Sequence, residues 1–169
     1  MVIRLTDLMP RVAVLGTELP IVGEDTNSLA GILLKCGDEY LICKTSKHMQ
    51  EAKDEKEEWT IPMGHIKESE EPMEAAIREC MEEVRIMVGV GEGVKRPELL
   101  KQFKCEGKAC YIYKAEIDEK VDVTPSIFDF SECKWVKHNK LPKETHPTIK
   151  EAIKYCYETH KAKSKGQAY

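Results

Sequence analysis

Two spacings are superimposed on one stretch of chain between Pro72 and Ile86. Met73, Ile77, Cys80 and Val84 recur at steps of four, three and four, which puts them on one face of a helix. Glu79, Glu82 and Glu83 stand at i, i+3 and i+4, so their carboxylates project together, roughly 145° round the axis from the apolar stripe. Such a helix packs one side against a core and turns three like charges the other way. At that spacing they repel by several tenths of a kcal/mol per pair, and no lysine is interleaved on this face to relieve them. One solution is a solvated, glutamate-rich surface. The other is a hard divalent cation, Mg²⁺ or Mn²⁺, which takes oxygen ligands and keeps positions open for water and phosphate.

The flanking sequence predicts an α/β domain around this helix. Ser28 to Cys36 is densely apolar, Gly37-Asp38 reads as a turn, and Tyr40 to Cys43 completes a β-hairpin. Gln50 to Glu58 is charge-rich and predicted to be an exposed loop. Leu99–Phe103, Ala109–Ile117 and Cys133–Val136 read as strands. A last helix is expected from Pro147, with Thr148 and Glu151 at capping-box spacing and a stripe of Ile149, Ile153, Cys156 and Tyr157. Residues 28–160 are thus expected to form the domain. Residues 1–27 would be an extension with one strand, Arg11 to Leu15, and residues 161–169 a frayed basic tail.

Composition narrows the function classes. A chain of 169 residues, 41% hydrophobic, suffices for one domain with a real core. Lysine plus arginine total 26 against 30 acids, a net charge of -4, which argues against a general nucleic-acid coat. No apolar run approaches the roughly 18 residues a membrane span needs. Met1 to Pro10 lacks the apolar stretch and cleavage site of a secretion signal. Seven cysteines, an odd number without a Cys-x-x-Cys pair, read as reduced, semi-buried thiols. A zinc site from Cys105, Cys110 and a distant histidine would have unusual spacing. A cytoplasmic protein, monomer or homodimer, is expected.

The wider segment decides between the two readings of the acids. Gly64, five residues, Glu70, seven residues, then Arg78-Glu79-Cys80-Met81-Glu82-Glu83 and an apolar Ile86 resemble the signature of the Nudix hydrolase family. Trp59-Thr60-Ile61-Pro62-Met63-Gly64-His65 looks like the lead-in found in members acting on dinucleoside polyphosphates and triphosphorylated RNA ends. The resemblance implies an α/β/α sandwich, a mixed central sheet carrying a loop–helix–loop catalytic box. It implies Mg²⁺-dependent (or Mn²⁺-dependent) hydrolysis of a phosphoanhydride in a nucleoside diphosphate linked to another group. Dinucleoside polyphosphates or capped or triphosphorylated RNA 5′ ends are the favoured substrates. A housecleaning nucleoside triphosphate pyrophosphatase and a non-catalytic nucleotide-binding module are the alternatives.

Residue by residue, the resemblance makes Glu79, Glu82 and Glu83 metal ligands, joined by the Met63 carbonyl. Glu79 or a loop acid, Asp129, six residues before Trp135, would accept a proton from water; Glu132 is its rival. Gly64, Glu70 and Arg78 become structural, with Glu70 pairing Arg78. Arg85 stands where the family has a glycine, so the helix either runs on to Gly89 or leads into a different loop. Lys44, Lys101, Lys104 and Lys114 are candidates for an anionic groove, each with ordinary surface lysine as the alternative. Tyr111 and Tyr113 alternate on one strand and could stack a base or pack in the core.

Overall fold

The protein is described by a computed structural model over residues 27–89 and 95–166. The expected strand at Arg11–Leu15 lies outside these residues. In chain order the elements are β1 (Leu29–Cys36), β2 (Glu39–Thr45), α1 (Lys47–Lys53), β3 (Trp59–Thr60), β4 (Met63–His65), α2 (Pro72–Val84), β5 (Glu98–Cys105), β6 (Lys108–Glu116), β7 (Phe130–Lys137) and α3 (Pro147–Gly166).

β1 and β2 form the expected hairpin through Gly37, whose φ of 59° a glycine adopts without strain. Their pairing covers only Lys35↔Tyr40 and Cys36↔Glu39. Beyond that the strands diverge, and the short β3 and β4 fill the wedge. β3 pairs β2 at Cys43↔Thr60, and β4 pairs β1 from Leu29↔His65 to Gly31↔Met63. The Ile32 N–H closes the gap on the Pro62 carbonyl at 3.0 Å. β6 runs parallel to the whole of β1, β5 lies antiparallel to β6, and β7 lines the far edge of β2. The sheet is therefore mixed.

Alternation along the strands supplies two cores. Ala30, Ile32, Leu34, Leu41 and Cys43 face α2, where Ala75, Ala76, Ile77, Cys80 and Val84 meet them. Leu33, Tyr40, Ile42, Trp59, Cys110 and Ile112 face α3 and its Ile149, Ala152, Ile153 and Cys156. Burial of these side chains on both faces drives the three-layer arrangement, each fully buried aliphatic contributing about 1.5–3 kcal/mol. The expected α/β/α sandwich is the observed one.

Several local expectations are corrected. Gln50–Glu58 is not all loop: α1 takes its first four residues, because the Ser46 hydroxyl accepts the Met49 N–H at 3.1 Å and Asp54 closes the helix in a left-handed turn. α3 continues through residues 161–166, so that stretch is helix and not a frayed tail. Its start uses no Thr148–Glu151 box. The Thr148 N–H donates to His146 Nδ1 at 3.1 Å, and the Thr148 hydroxyl donates to the Lys104 carbonyl at 3.0 Å. Tyr157 leaves the core stripe and stacks on His138, centroids 3.6 Å apart. All seven cysteines are free thiols. Cys105 lies 3.7 Å from His146, but among the described residues no group of three or more His, Cys, Asp or Glu side chains forms a ready-made metal site.

Candidate active site

α2 begins at Pro72 behind a reciprocal box between Glu71 and Glu74, which satisfies its first free N–H groups. It ends at Val84, and Arg85 then turns left-handed at φ 61°. Arg85 thus adopts the conformation a glycine would take with less strain, and the helix does not run on to Gly89. The loop before α2 is fastened by Arg78. Its Nε and Nη2 donate to the two carboxylate oxygens of Glu70 at 2.7 and 3.1 Å, and Nη2 also donates to the His65 carbonyl at 3.0 Å. This bidentate fork is the expected Glu70–Arg78 pair. Burial alone would push Glu70 up, but the Arg78 and Lys67 contacts outweigh it and hold its carboxyl below the ordinary range.

Arg78 also reaches forward, with Nη1 2.7 Å from Glu79 Oε1 and 3.3 Å from Glu82 Oε2. The three glutamates differ in setting. The Glu82 side chain is 55% exposed, that of Glu79 15%, and Glu83 as a whole residue only 6%. A helical wheel places all three on the outward side. Glu83 is buried because β4 folds over that side, and the Met63 N–H donates to Glu83 Oε1 at 2.9 Å. Burial, then the charges of Glu79 and Asp129, push the Glu83 carboxyl up to about 9. Glu79 is raised too, by burial first, with the charges of Glu82 and Asp129 adding to it.

Gly64 has a steric role. A Cβ there would fall 2.8 Å from Glu79 Oε2 and closer still to Cδ and Oε1. Only a glycine lets β4 lie this close to the carboxylate.

Asp129 arrives from a tight turn before β7. The Ser126 N–H donates to the Glu83 carbonyl at 2.8 Å, and the Ser46 N–H donates to the Asp129 carbonyl at 3.0 Å. The turn is thereby tied to the end of α2 and the start of α1, and its charge acts on Glu79 and Glu83. Glu132 goes elsewhere. It pairs with Lys44, whose neighbour Cys43 faces α2, so strand alternation turns Glu132 to the α3 face.

The other candidates disperse. Lys44 binds Glu57 at 2.6 Å and lies over Trp59, in the α3-side core. Lys101 binds Glu151 at 3.4 Å between the rings of Phe103 and Tyr155, again on the α3 side. Lys114 binds Glu116 at 3.4 Å. Lys104 is exposed beside Ala109, on the α2 face. Tyr111 and Tyr113 are buried in the α2-side core, the packing alternative of the sequence reading. Sequence reasoning missed α1, whose Lys53 sends its charge onto Glu83; the Ser46 cap was the available signal.

Glu79 and Glu82 share one nitrogen of Arg78, and Glu83 is buried near like charges with a single N–H for company, although among the described residues the carboxylates as they stand do not form a ready-made site. A divalent cation fits that donor set.

The NUDIX domain model matches residues 27–156. No curated protein matches the sequence. Among solved structures the chain is similar to an Ap4A hydrolase from C. elegans in a binary complex, at 22% identity over 79% of this chain and 98% of that one, with a TM-score of 0.62. It is also similar to the MutT protein of Methanosarcina mazei Go1, at 18% identity over 79% and 94% of the two chains, TM-score 0.61. A NUDIX hydrolase from Nitrosomonas europaea gives 19% identity over 82% and 74%, TM-score 0.62. At these identities the likeness is one of fold.

Proposed function

Since the chain belongs to the Nudix family, we propose that it is a pyrophosphohydrolase that cleaves a phosphoanhydride bond in dinucleoside polyphosphates or at triphosphorylated or capped RNA 5′ ends. One observation carries the hydrolase reading: on the helix of Glu79 and Glu82, Glu83 is buried at 6% exposure with the Met63 N–H at 2.9 Å as its hydrogen-bond partner. Keeping so many acids together is costly unless cationic charge compensates them. Glu79, Glu82, Glu83 and the Met63 carbonyl would hold Mg²⁺ or Mn²⁺. When bound, such ions neutralise polyphosphate charge and lower the pKa of water.

The chain's own residues do the rest. Glu79 or Asp129 accepts the proton of the attacking water. The water oxygen bonds to phosphorus, the bridging P–O bond breaks, and its electron pair leaves with the departing phosphate. Arg78 fixes Glu79, and the glycine at 64 admits the carboxylate close to β4. The lead-in from Trp59 to His65 supports dinucleoside polyphosphates, as does the similarity to a protein named Ap4A hydrolase.

The test is a panel of diadenosine tetraphosphate, nucleoside triphosphates, ADP-ribose and 5′-triphosphorylated RNA with Mg²⁺, beside the Glu82→Gln/Glu83→Gln double variant. Metal-dependent cleavage of the first or last, lost in the variant, is expected. Preferential cleavage of plain triphosphates to monophosphate and pyrophosphate would point instead to a housecleaning enzyme. Nucleotide binding without cleavage would leave a sensor.

A further inference from the structure

Among the described residues, the large apolar side chains most open to solvent are Ile127 and Phe128, 78% and 63% exposed. They form the tip of the turn that delivers Asp129. This turn is held on every side. Its own backbone closes with the Asp129 and Phe130 N–H groups donating to the Ser126 carbonyl at 3.0 and 2.9 Å. The Ser126 N–H holds it to the end of α2. The Ser46 hydroxyl donates to the Phe128 carbonyl at 2.6 Å while capping α1. A phenyl ring is thus presented to solvent on a fixed backbone, where its exposure gains nothing for the fold.

Two neighbours indicate a use for it. The His48 ring, on the first turn of α1, meets Phe128 at 5.7 Å between centroids and 74° between planes, an edge-to-face contact that steadies the phenyl without covering it. On the other side, the next residue in the chain is Asp129, whose charge reaches both Glu79 and Glu83. The turn that bears the ring is thus the one fastened to the end of α2, where the Ser126 N–H donates to the Glu83 carbonyl at 2.8 Å. A ligand that spans the ring and the acid cluster must be anionic at one end, to be held there through cations, and flat and apolar at the other. Tyr111 and Tyr113 cannot serve, being buried beneath α2.

We propose that Phe128, steadied by His48 and flanked by Ile127, is the platform on which the substrate's nucleobase stacks, with purines held better than pyrimidines because of their larger ring face. The assignment rests on the reading of the acid cluster as a polyphosphate site, and it makes Phe128 a determinant of which polyphosphates are accepted. Inorganic chains would lack half of the contact.

The experiment measures binding, with Mg²⁺, of an ATP analogue carrying methylene bridges at both anhydride positions, beside inorganic tripolyphosphate. Isothermal titration gives the affinities, and saturation-transfer NMR reads contact between protein aromatic protons and adenine H2 and H8. Phe128→Ala should weaken the analogue about tenfold or more and abolish the transfer, while tripolyphosphate affinity moves less than twofold. Phe128→Trp should restore both signals. Leu99→Ala, an exposed apolar side chain on β5, should change neither. Unaltered analogue binding by Phe128→Ala would overturn the proposal. So would an equal loss for tripolyphosphate, which would mean a disturbed acid cluster, or a change in oligomeric state, which would mean a subunit contact. If wild type hydrolyses nucleotides while Phe128→Ala binds them normally, the platform fails and the hydrolase stands. If wild type binds neither probe, the polyphosphate reading fails and the platform with it.

Discussion

Replacing Gly64 by alanine separates a positioning role from a folding role, because the structure says which atoms must move. The new methyl would sit 2.8 Å from Glu79 Oε2 and nearer still to Cδ and Oε1, where ordinary contact begins at 3.4 Å. Clearing Cδ and Oε1, the nearer atoms, takes a retreat of about 1 Å. The carboxylate can do so, since it is the end of a flexible side chain. The fold loses its 2.7 Å contact with Arg78, worth about 1 kcal/mol. It regains about 0.4–1 kcal/mol from the less flexible unfolded chain. The melting temperature should stay within roughly 2–4 °C of wild type. Catalysis should not survive so well, because a misplacement near 1 Å costs about a hundredfold. Gly31→Ala is the contrast. There the methyl would meet Met63 Cβ at 2.6 Å and the Pro62 carbonyl at 2.8 Å, atoms of a paired strand that no rotamer can move. That variant should lose at least about 2 kcal/mol, lowering the melting temperature by roughly 4–8 °C. Circular dichroism melts and product chromatography on both proteins provide the comparison. If Gly64→Ala keeps activity within threefold, or melts as low as Gly31→Ala, the reasoning is refuted.

Glu83→Gln tests the buried acid by pH. Its folded pKa of about 9 lies above the ordinary 4.5, so the folded chain binds the extra proton and the metal-free protein loses stability as pH rises from 5 to 8. The variant should be inactive, yet more stable at pH 8 by something on the order of 2 kcal/mol, as chemical denaturation in chelator would show. Glu70 has the opposite sign: its pKa is held down, so its contribution is full above 4.5 and is lost as pH falls through the folded value. Arg78→Lys, which cannot reproduce the fork, should cost about 2 kcal/mol at pH 7 and flatten the acid limb of stability between pH 5 and 3. Arg85→Gly relieves a left-handed residue and should gain about 1 kcal/mol with hydrolysis unchanged; a loss of stability would mean that Arg85 makes a contact worth more than its strain. Chelation should abolish hydrolysis, and added Mg²⁺ should raise the wild-type melting temperature but not that of Glu83→Gln.

What lay in the sequence was whatever depends on residues near one another in the chain. The two faces of α2 follow from helical spacing, and the Glu70–Arg78 fork joins residues eight apart. The hairpin turn follows from Gly37-Asp38, and the α/β/α sandwich was what the family resemblance implied. The site beyond α2 was decided by long-range packing. Whether Glu83 is exposed depends on β4, twenty residues back, which sits against it only because β1 and β2 diverge and leave a wedge. The charge of Asp129 bears on the cluster from a turn that Ser46, 82 residues before Phe128, clasps. Lys44 and Lys101 had suitable charge, but strand alternation turned them to the opposite face, where they pair with Glu57 ahead of β3 and Glu151 on α3. Phe128 is singled out only by the tertiary fold, which leaves it 63% exposed on the turn that carries Asp129. Side-chain chemistry is written locally, but which groups share a solvent-excluded space is set by contacts between residues far apart in the chain.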